Sequence, residues 1–171
     1  YLFSKFNILI FDSFTIFSYR YKKPLMMIGD FAVCLAPIGL GLGRLANFIN
    51  GELYGRVSEV PWAMVFPQGG PYPRHPSQLY EAVLEGMVLF LVLWFLRKRV
   101  KIYGVLTSIY FIGYASLRFF AEYFREPDNQ LGYYFGGTTT MGQILCFLMG
   151  LFGLFGLIYS LKKNERVLAK A

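Results

Sequence analysis

Long apolar runs alternate with short charged or polar segments along most of the chain. Four runs have about the 17–25 residues that a helix needs to cross a bilayer. A further apolar stretch, residues 1–19, is interrupted by Lys5 and Asp12, so we expect a poor span or a partly buried helix there. The pattern predicts an all-α, polytopic helical integral membrane protein with about four to five spans, the clear ones being residues 25–42, 79–96, 102–121 and 140–161.

The first clear run contains two residues that are unusual inside a span. Asp30 places a carboxylate among apolar residues, which is unfavourable without a partner. Pro37 is expected to kink the helix, because proline removes a backbone hydrogen bond and clashes with the preceding turn. Farther on, residues 56–77 are rich in proline and glycine and have no periodicity, which predicts a loop on the way to the second span.

The distribution of basic residues predicts an orientation. Basic clusters at residues 20–23, 97–101 and 162–166 alternate with two polar segments, 43–78 and 122–139. Cytoplasmic loops of membrane proteins carry the excess of Lys and Arg. We therefore expect the basic clusters and the C-terminus on the cytoplasmic side and both polar segments on the outer side.

Composition supports this class of protein and argues against others. Of 171 residues, 56% are hydrophobic and 16% charged, whereas soluble domains are nearer half apolar and a quarter charged. The net charge of +7 does not indicate nucleic-acid binding, because the basic residues cluster at the ends of apolar runs. No metal-ligand cluster, phosphate-cradling glycine loop or GxSxG motif is present, so we expect no metal and no cofactor. Cys34 and Cys146 lie inside apolar runs and are expected to be buried free thiols.

A first candidate site follows the first span in GRLANFINGELYG, residues 43–55. If this stretch is helical, Arg44, Asn47, Gly51 and Gly55 share one face, with Glu52 on its flank. That face offers a cation, an amide and two places without a side chain, where a lipid could press against the backbone. The alternative is a helix end at which Arg44 extends to the headgroups and pairs locally with Glu52.

A second candidate site is YASLRFFAEYFREPD, residues 114–128. Tyr114, Arg118, Glu122 and Arg125 recur at helical spacing and are expected on one face. Two arginines with one internal counter-charge favour an anion site, since the planar guanidinium pairs with phosphate oxygens and stays charged when partly buried. The alternative is an Arg118–Glu122 pair that only tethers the helix end.

Three more titratable residues lie in PRHPSQLYEAVLEG, residues 73–86. His75 is the one histidine of the chain, and we expect a cap or loop-packing residue rather than a catalyst. Glu81 and Glu85 either face inward, toward the arginines, or lie at the membrane interface.

These three blocks together resemble the bacterial prolipoprotein diacylglyceryl transferases, the phosphatidylglycerol–prolipoprotein diacylglyceryl transferase family. They occur in the family's order, and the resemblance runs from about Lys22 to the C-terminus. It implies a single membrane domain over residues 1–171, with an atypical N-terminal segment (1–24) and a family-like core (25–171).

The resemblance implies an activity and its partners. Enzymes of this family transfer the diacylglyceryl group of phosphatidylglycerol to the lipobox cysteine in the signal peptide of a preprolipoprotein. A thioether forms and glycerol phosphate is released, in the first step of lipoprotein maturation. We therefore expect a multi-pass transferase of the bacterial plasma (inner) membrane with its site facing the outer side.

The resemblance also implies roles for individual residues. Arg44 and Arg118 would bind the phosphate and stabilise the leaving group. The residues that would shape the headgroup pocket are Asn47, Glu52 and Gly55, and those that would orient the second arginine are Tyr114, Glu122 and Arg125. The expected catalytic residues are thus Arg44, Arg118, Tyr114 and Glu122, and the expected substrate-binding residues Arg44, Asn47, Glu52, Gly55 and Arg125.

One block of the family is not found. The family carries a His-Gly-Gly block ahead of the signature motif, and its histidine is a candidate for activating the thiol. By distance it would fall near Ser4, within YLFSKF. We therefore expect the chain to lack the N-terminal part of the family, and His75 belongs to a different block. The alternative function is a truncated or degenerate, non-catalytic membrane protein that binds anionic lipid; a transporter is disfavoured because no inverted repeat is visible.

Overall fold

The computed structural model describes residues 2–126, 133–134 and 139–163, and these are mainly helical. The helices are α1 (Leu2–Tyr21), α2 (Leu25–Asn50), α3 (Ser77–Glu81), α4 (Leu89–Leu96), α5 (Val105–Ala121) and α6 (Met141–Lys163). A π-helical segment, Ala82–Val88, joins α3 to α4, so that Ser77–Leu96 is one continuous helix. Two short strands, β1 (Tyr133–Tyr134) and β2 (Thr139–Thr140), pair antiparallel with Tyr133 opposite Thr140.

Three of these helices are long and apolar enough to cross a bilayer: α2, the continuous helix Ser77–Leu96 and α6. Helix α5 is apolar but shorter, at 17 residues. Large side chains such as Phe95 and Phe155 are about 70% exposed, as lipid-facing residues of a membrane protein are. The predicted fold class, a polytopic helical membrane protein, is therefore confirmed.

The ends of the helices differ from the predicted runs. Helix α2 continues through Pro37 and past residue 42 to Asn50, where Gly51 adopts a left-handed conformation (φ 69°) and caps it. Glycine is favoured there because it has no Cβ to clash at positive φ. Helix α5 begins at Val105, after Gly104 (φ 84°), rather than at residue 102. Residues 2–21, predicted to be a poor span or a partly buried helix, form the helix α1.

The buried apolar core lies where α2, α4 and α5 meet. Val33 and Cys34 of α2 pack with residues of the other two helices, Leu89, Leu93 and Leu106. Helix α6 packs along α5, with the rings of Phe111 and Phe152 in edge contact at 5.2 Å. Cys34 and Cys146 are both free and buried, as predicted.

Asp30, the carboxylate inside the first span, caps another helix. Its oxygens accept hydrogen bonds from the backbone N–H groups of Gly104 (2.7 Å) and Thr107 (2.8 Å) and from the Thr107 hydroxyl (2.7 Å). The first N–H groups of a helix have no partner within the helix, and a carboxylate there also complements the helix dipole. Asp30 therefore fixes the beginning of α5 against α2.

Residues 51–76 form the predicted loop, and backbone bridges organise it. Met64 and Arg74 exchange hydrogen bonds of 2.8 and 2.9 Å, and Val57 also pairs with Arg74. Gly55 pairs with Arg125, which joins this loop to the turn after α5. The loop therefore lies over the ends of α2 and α5 where the two candidate motifs are found.

Candidate functional site

The site is built where α2 crosses the π-helical segment. Gly41 and Gly86 meet backbone to backbone: a Cβ added to Gly86 would lie 2.8 Å from the Gly41 Cα, closer than real Cβ contacts. Small residues let helices in membranes approach closely. Arg44 follows Gly41 by about one turn and Glu85 directly precedes Gly86, so this contact brings the two charged side chains together.

Arg44 and Arg118, which lie on different helices, contact the same two carboxylates. The Arg44 guanidinium lies 2.7 Å from Glu81 through Nε and 3.6 Å from Glu85 through Nη2. Arg118 Nη1 lies 2.6 Å from Glu81 and 3.4 Å from Glu85. Each oxygen of Glu81 is therefore within 2.7 Å of a different arginine. The two motif arginines converge at one end of the bundle, and Glu81 and Glu85 face inward toward them.

A third carboxylate extends the cluster toward α6. Glu122 Oε2 lies 3.1 Å from Arg118 Nη2 and 3.8 Å from Arg125 Nη1. Its other oxygen accepts a hydrogen bond of 3.1 Å from the Thr140 hydroxyl. Arg125 also accepts, through its carbonyl, a hydrogen bond from Arg56 Nε at 2.9 Å.

Charge is balanced within this cluster, which we call the arginine–glutamate cluster: Arg44, Arg118, Arg125, Glu81, Glu85 and Glu122. Two like charges about 4 Å apart repel by about 4 kcal/mol at an effective dielectric constant near 20, so the carboxylates stabilise the convergence of the arginines. The Arg44 side chain is 18% exposed and that of Arg118 is 10% exposed, whereas Glu85 is fully buried. The guanidinium groups are thus the accessible part of the cluster, and guanidinium suits the recognition of phosphate.

Of the two alternatives for the arginines, the local pair of Arg44 with Glu52 is wrong, and the Arg118–Glu122 pair is present but accounts for only part of the contacts of Arg118. Arg44 does not pair with Glu52, since Glu52 is exposed and its carboxylate accepts a hydrogen bond from the Asn50 amide at 3.3 Å. Arg118 does pair with Glu122 one turn later, but it is held by Glu81 and Glu85 as well. It therefore joins two spans rather than only securing the end of its own helix.

Asn47 and Glu52, both predicted to shape a headgroup pocket, are placed differently. Asn47 lies on α2 one turn after Arg44, and within the described part of the chain its side-chain amide has no hydrogen-bond partner. Glu52 lies just beyond the helix, outside the arginine–glutamate cluster, and its carbonyl accepts a hydrogen bond of 2.7 Å from the Gln78 amide. Asn47 is therefore free to hydrogen-bond a ligand beside Arg44.

The prediction that Gly51 and Gly55 continue the helical face of Arg44 is wrong, because α2 ends at Asn50. Gly51 is its left-handed cap. Gly55 lies in a backbone crossing, where an added Cβ would be 2.7 Å from the His75 carbonyl oxygen and would also clash with the Phe124 carbonyl. The protein's own backbone, and not a lipid, occupies the space that the missing side chain leaves at Gly55.

The face predicted on the second motif is partly helical. Tyr114 and Arg118 lie one turn apart on α5, but the helix ends at Ala121, and Glu122 and Arg125 follow in a turn. The ion pairs nevertheless bring Arg118, Glu122 and Arg125 together. The Tyr114 ring stacks on that of Tyr110, with the centroids 6.0 Å apart.

His75 packs in the loop, as predicted. Its ring meets those of Tyr80 and Phe124 edge-on, at 5.9 and 5.4 Å between centroids, and its Nδ1 lies 3.1 Å from the Tyr80 hydroxyl. The same hydroxyl accepts a hydrogen bond of 2.6 Å from the Trp62 indole. The histidine thus holds the loop against the turn that carries Glu122 and Arg125.

Sequence reasoning did not single out Arg74. Its side chain pairs with Glu126, donates to the carbonyls of Gly69 (3.0 Å) and Gly55 (3.3 Å), and stacks over the Tyr54 ring. The available signal was a cation enclosed by prolines in PYPRHP. For Glu81 and Glu85 the signal was a pair of carboxylates four residues apart at the start of an apolar span. That spacing did not decide whether their side chains face the arginines or the membrane interface.

The chain is similar in sequence to proteins of one described family. The chain matches the family model described as "Prolipoprotein diacylglyceryl transferase" over residues 8–159, so the match begins before the Lys22 start that the motifs suggested. It is 53% identical over 149 residues to the phosphatidylglycerol--prolipoprotein diacylglyceryl transferase of Aliivibrio salmonicida, covering 86% of this chain and 52% of that protein.

Proteins of the same description from other bacteria are similar to it to the same degree. The Allorhizobium ampelinum protein is 54% identical over 145 residues (83% of this chain, 50% of that protein). The Photobacterium profundum protein is 51% identical over 150 residues (88% of this chain, 56% of that protein). The chain thus spans about half the length of the curated relatives it matches.

Proposed function

The chain belongs to the prolipoprotein diacylglyceryl transferase family, and we propose that it catalyses the reaction for which its relatives are named. In that reaction a diacylglyceryl group passes from phosphatidylglycerol to a prolipoprotein. The observation that carries the proposal is the convergence of Arg44 and Arg118, from two different helices, on Glu81 and Glu85. Two partly accessible guanidinium groups brought together from different helices suit the recognition of a phosphate.

The chemistry explains why two arginines are used. The acceptor is the lipobox cysteine of the prolipoprotein, whose sulfur bonds to the glyceryl carbon that carries the phosphate. The C–O bond to that phosphate breaks, glycerol phosphate leaves with the electron pair, and the proton of the thiol is released to water. Negative charge therefore grows on the leaving phosphate, and guanidinium groups already held in place stabilise it without having to reorganise.

The other residues of the site take supporting roles in this proposal. Asn47, whose amide has no partner among the described residues, offers it to the headgroup beside Arg44. Glu122 holds Arg118 and Arg125 in the same place, and Thr140 holds Glu122 in turn. Tyr114, one turn before Arg118, packs α5 against the apolar core that it shares with α2 and α4.

We place the site on the outer side of the bacterial inner membrane, with the C-terminus cytoplasmic. The basic residues of the turn after α1, those of residues 97–101 and those at the end of α6 all lie at the opposite end of the helices from Arg44. Asp30 marks that opposite end, 14 residues before Arg44 on α2, or about 21 Å along the helix axis. Basic ends are typical of the cytoplasmic side.

The test is a transfer assay with the full chain. Purified protein is mixed with phosphatidylglycerol vesicles and a signal peptide that contains one lipobox cysteine, and the thioether-linked product is measured by mass spectrometry. We expect transfer by the native chain and a loss of about 100-fold or more in Arg118→Ala. Arg99→Ala, which removes an exposed arginine at the other end of the bundle, is the matched control and is expected to retain activity.

The same assay distinguishes a transferase from the alternative, a non-catalytic protein that binds anionic lipid. A non-catalytic protein that binds anionic lipid would form no product, while its binding of phosphatidylglycerol would still depend on Arg44. Equal activity of Arg118→Ala and Arg99→Ala would contradict the proposed role of the cluster.

A further inference from the structure

Glu85 differs from the other two carboxylates of the arginine–glutamate cluster. Glu81 places each of its oxygens within 2.7 Å of an arginine nitrogen, and Glu122 lies 3.1 Å from Arg118. Glu85 is farther from both arginines, at 3.4 and 3.6 Å, although it is fully buried. Charge-assisted hydrogen bonds of the strong kind are 2.7–2.9 Å long. Glu85 accepts only one long hydrogen bond, of 3.4 Å from Arg118 Nη1, and its other oxygen has no hydrogen-bond partner among the described residues. Glu85 therefore brings a buried negative charge close to both guanidinium groups while remaining weakly hydrogen-bonded to them.

The backbone fixes this intermediate distance. Glu85 lies in the π-helical segment Ala82–Val88, and π-helical turns inside α-helices are frequent at functional sites. The next residue, Gly86, meets Gly41 of α2 backbone to backbone. The helix that carries Glu85 thus cannot move closer to α2, and the carboxylate is held beside Arg44 and Arg118.

We propose that Glu85 acts as a resident counter-anion, which weakens phosphate binding at Arg44 and Arg118 and so allows the phosphate product to leave. This inference rests on the proposed function, which makes the ligand a phosphate ester. The donor lipid carries a phosphodiester with one negative charge, whereas glycerol phosphate, a monoester with a second pKa near 6, carries almost two. Without the charge of Glu85, Arg44 and Arg118 would hold the dianion more tightly, and release would become slow.

The reciprocity of binding makes the proposal quantitative. Two anions that share the same arginines oppose each other by a coupling free energy, and the typical range of such coupling corresponds to about 5- to 150-fold in affinity. Removing the charge of Glu85 is expected to tighten binding of the monoanionic lipid about fivefold. A dianion interacts twice as strongly with the missing charge, so the affinity for glycerol phosphate is expected to rise about 25-fold.

The experiment compares Glu85→Gln with the native chain and with Glu59→Gln. Glu59 is an exposed carboxylate of the loop on the same side of the bundle, so its removal controls for net charge. Binding of dihexanoyl phosphatidylglycerol and of glycerol phosphate is measured by calorimetry in an uncharged detergent at pH 7.5. The expected result is tighter binding of both ligands by Glu85→Gln, with the larger gain for glycerol phosphate, and no change in Glu59→Gln.

A second variant, Glu85→Met, and the transfer assay complete the test. Glu85→Met removes the charge without leaving a buried amide unpaired, and it replaces Glu85→Gln if that variant does not fold. In the transfer assay, the loss of Glu85 charge is expected to lower KM and kcat together and to make glycerol phosphate a stronger inhibitor, which a purely structural role would not do. Unchanged or weaker binding of glycerol phosphate by these variants overturns the inference.

The two proposals can fail separately. If the native chain forms no thioether product while Glu85→Gln still binds glycerol phosphate more tightly, the proposed catalytic function fails and the counter-anion stands. If the native chain is active and Glu85→Gln shows the affinity and inhibition constant of the native chain, the counter-anion fails and the proposed function stands.

Discussion

Helix α2 holds an ionisable side chain near each end, and the two ends satisfy their charges in different ways. Near its beginning, Asp30 accepts three hydrogen bonds of 2.7–2.8 Å, all from Gly104 and Thr107 at the start of α5. Near its other end, Arg44 joins a cluster of six charged side chains drawn from several segments. Asp30 is hydrogen-bonded by donors at the start of a single helix, whereas Arg44 is paired with side chains that are themselves charged.

The difference separates a structural charge from one suited to bind a ligand. The Asp30 residue is 8% exposed, and both of its oxygens are occupied by donors that belong to the fold. The Arg44 side chain is 18% exposed and is paired through only part of its guanidinium. A buried charge whose hydrogen bonds are all made within the protein stabilises the fold. A partly accessible charge in a membrane protein is instead a candidate functional group.

Among changes at the two ends of α2, the largest loss of transfer activity is expected from Arg44→Ala. Removing this guanidinium takes away the more accessible of the two arginines that we propose bind the phosphate, so transfer is expected to fall about 100-fold and the affinity for phosphatidylglycerol about tenfold. The transfer assay and calorimetry with the short-chain lipid measure the two losses. If Arg44→Ala and Arg99→Ala were equally active, the exposed end of α2 would have no special role.

The next effect concerns the other end of the helix. Asp30→Asn keeps the size of the side chain but removes an acceptor from the start of α5, so the free energy of unfolding is expected to drop by about 2 kcal/mol. Thermal unfolding in detergent measures the loss, with Asp12→Asn, an exposed carboxylate of α1, as the control. The affinity for phosphatidylglycerol is expected to stay within about twofold of the native value, since Asp30 lies about 21 Å along the helix from Arg44. A drop in lipid affinity as large as that of Arg44→Ala would contradict the division between the two ends.

A smaller effect is expected from Gly86→Ala, which alters the spacing between α2 and the π-helical segment. The new methyl group would lie 2.8 Å from the Gly41 Cα, so the helices must shift, and transfer is expected to fall about tenfold. Gly39→Ala adds the same methyl group where nothing lies within 4 Å. Transfer rates and melting temperatures of the pair test this point, and equal behaviour of the two variants would show that the close contact does not position the cluster.

The smallest effect is expected from Thr140→Val. This change removes the hydroxyl that donates to Glu122 at 3.1 Å but keeps the shape of the side chain. The hydroxyl also accepts a hydrogen bond of 3.3 Å from the Gln143 N–H at the start of α6. The bond to the buried carboxylate contributes about 1 kcal/mol, so transfer is expected to fall about three- to fivefold. Thr140→Ser keeps the hydroxyl and is expected to restore most of the rate. A loss of rate in Thr140→Ser as large as in Thr140→Val would contradict the role of the hydroxyl, because Thr140→Ser retains it.

The sequence by itself determined that this is a polytopic helical membrane protein, the order of its spans and the candidate residues of its site. Apolar runs of bilayer length can be counted along the chain, because the requirement they meet is local: a helix satisfies its own backbone hydrogen bonds in lipid. The arginines of the two motifs stood out for the same reason, since a cation next to a span is unfavourable without a partner. Their convergence at one end also followed from the alternation of spans.

Only the tertiary structure decided which partners the charged residues have. Along the chain, Asp30 inside the first span and Arg44 just after it look alike, as charges that need a partner. In the structure Asp30 caps the start of α5 through Gly104 and Thr107, whereas Arg44 pairs with Glu81 and Glu85. The helix end at Gly51 and the crowding at Gly55 likewise depend on a loop and a turn from elsewhere in the sequence. Contacts between distant residues depend on how helices pack, and the packing of α2 on the π-helical segment, through Gly41 and Gly86, is what brings the arginines and glutamates into one site.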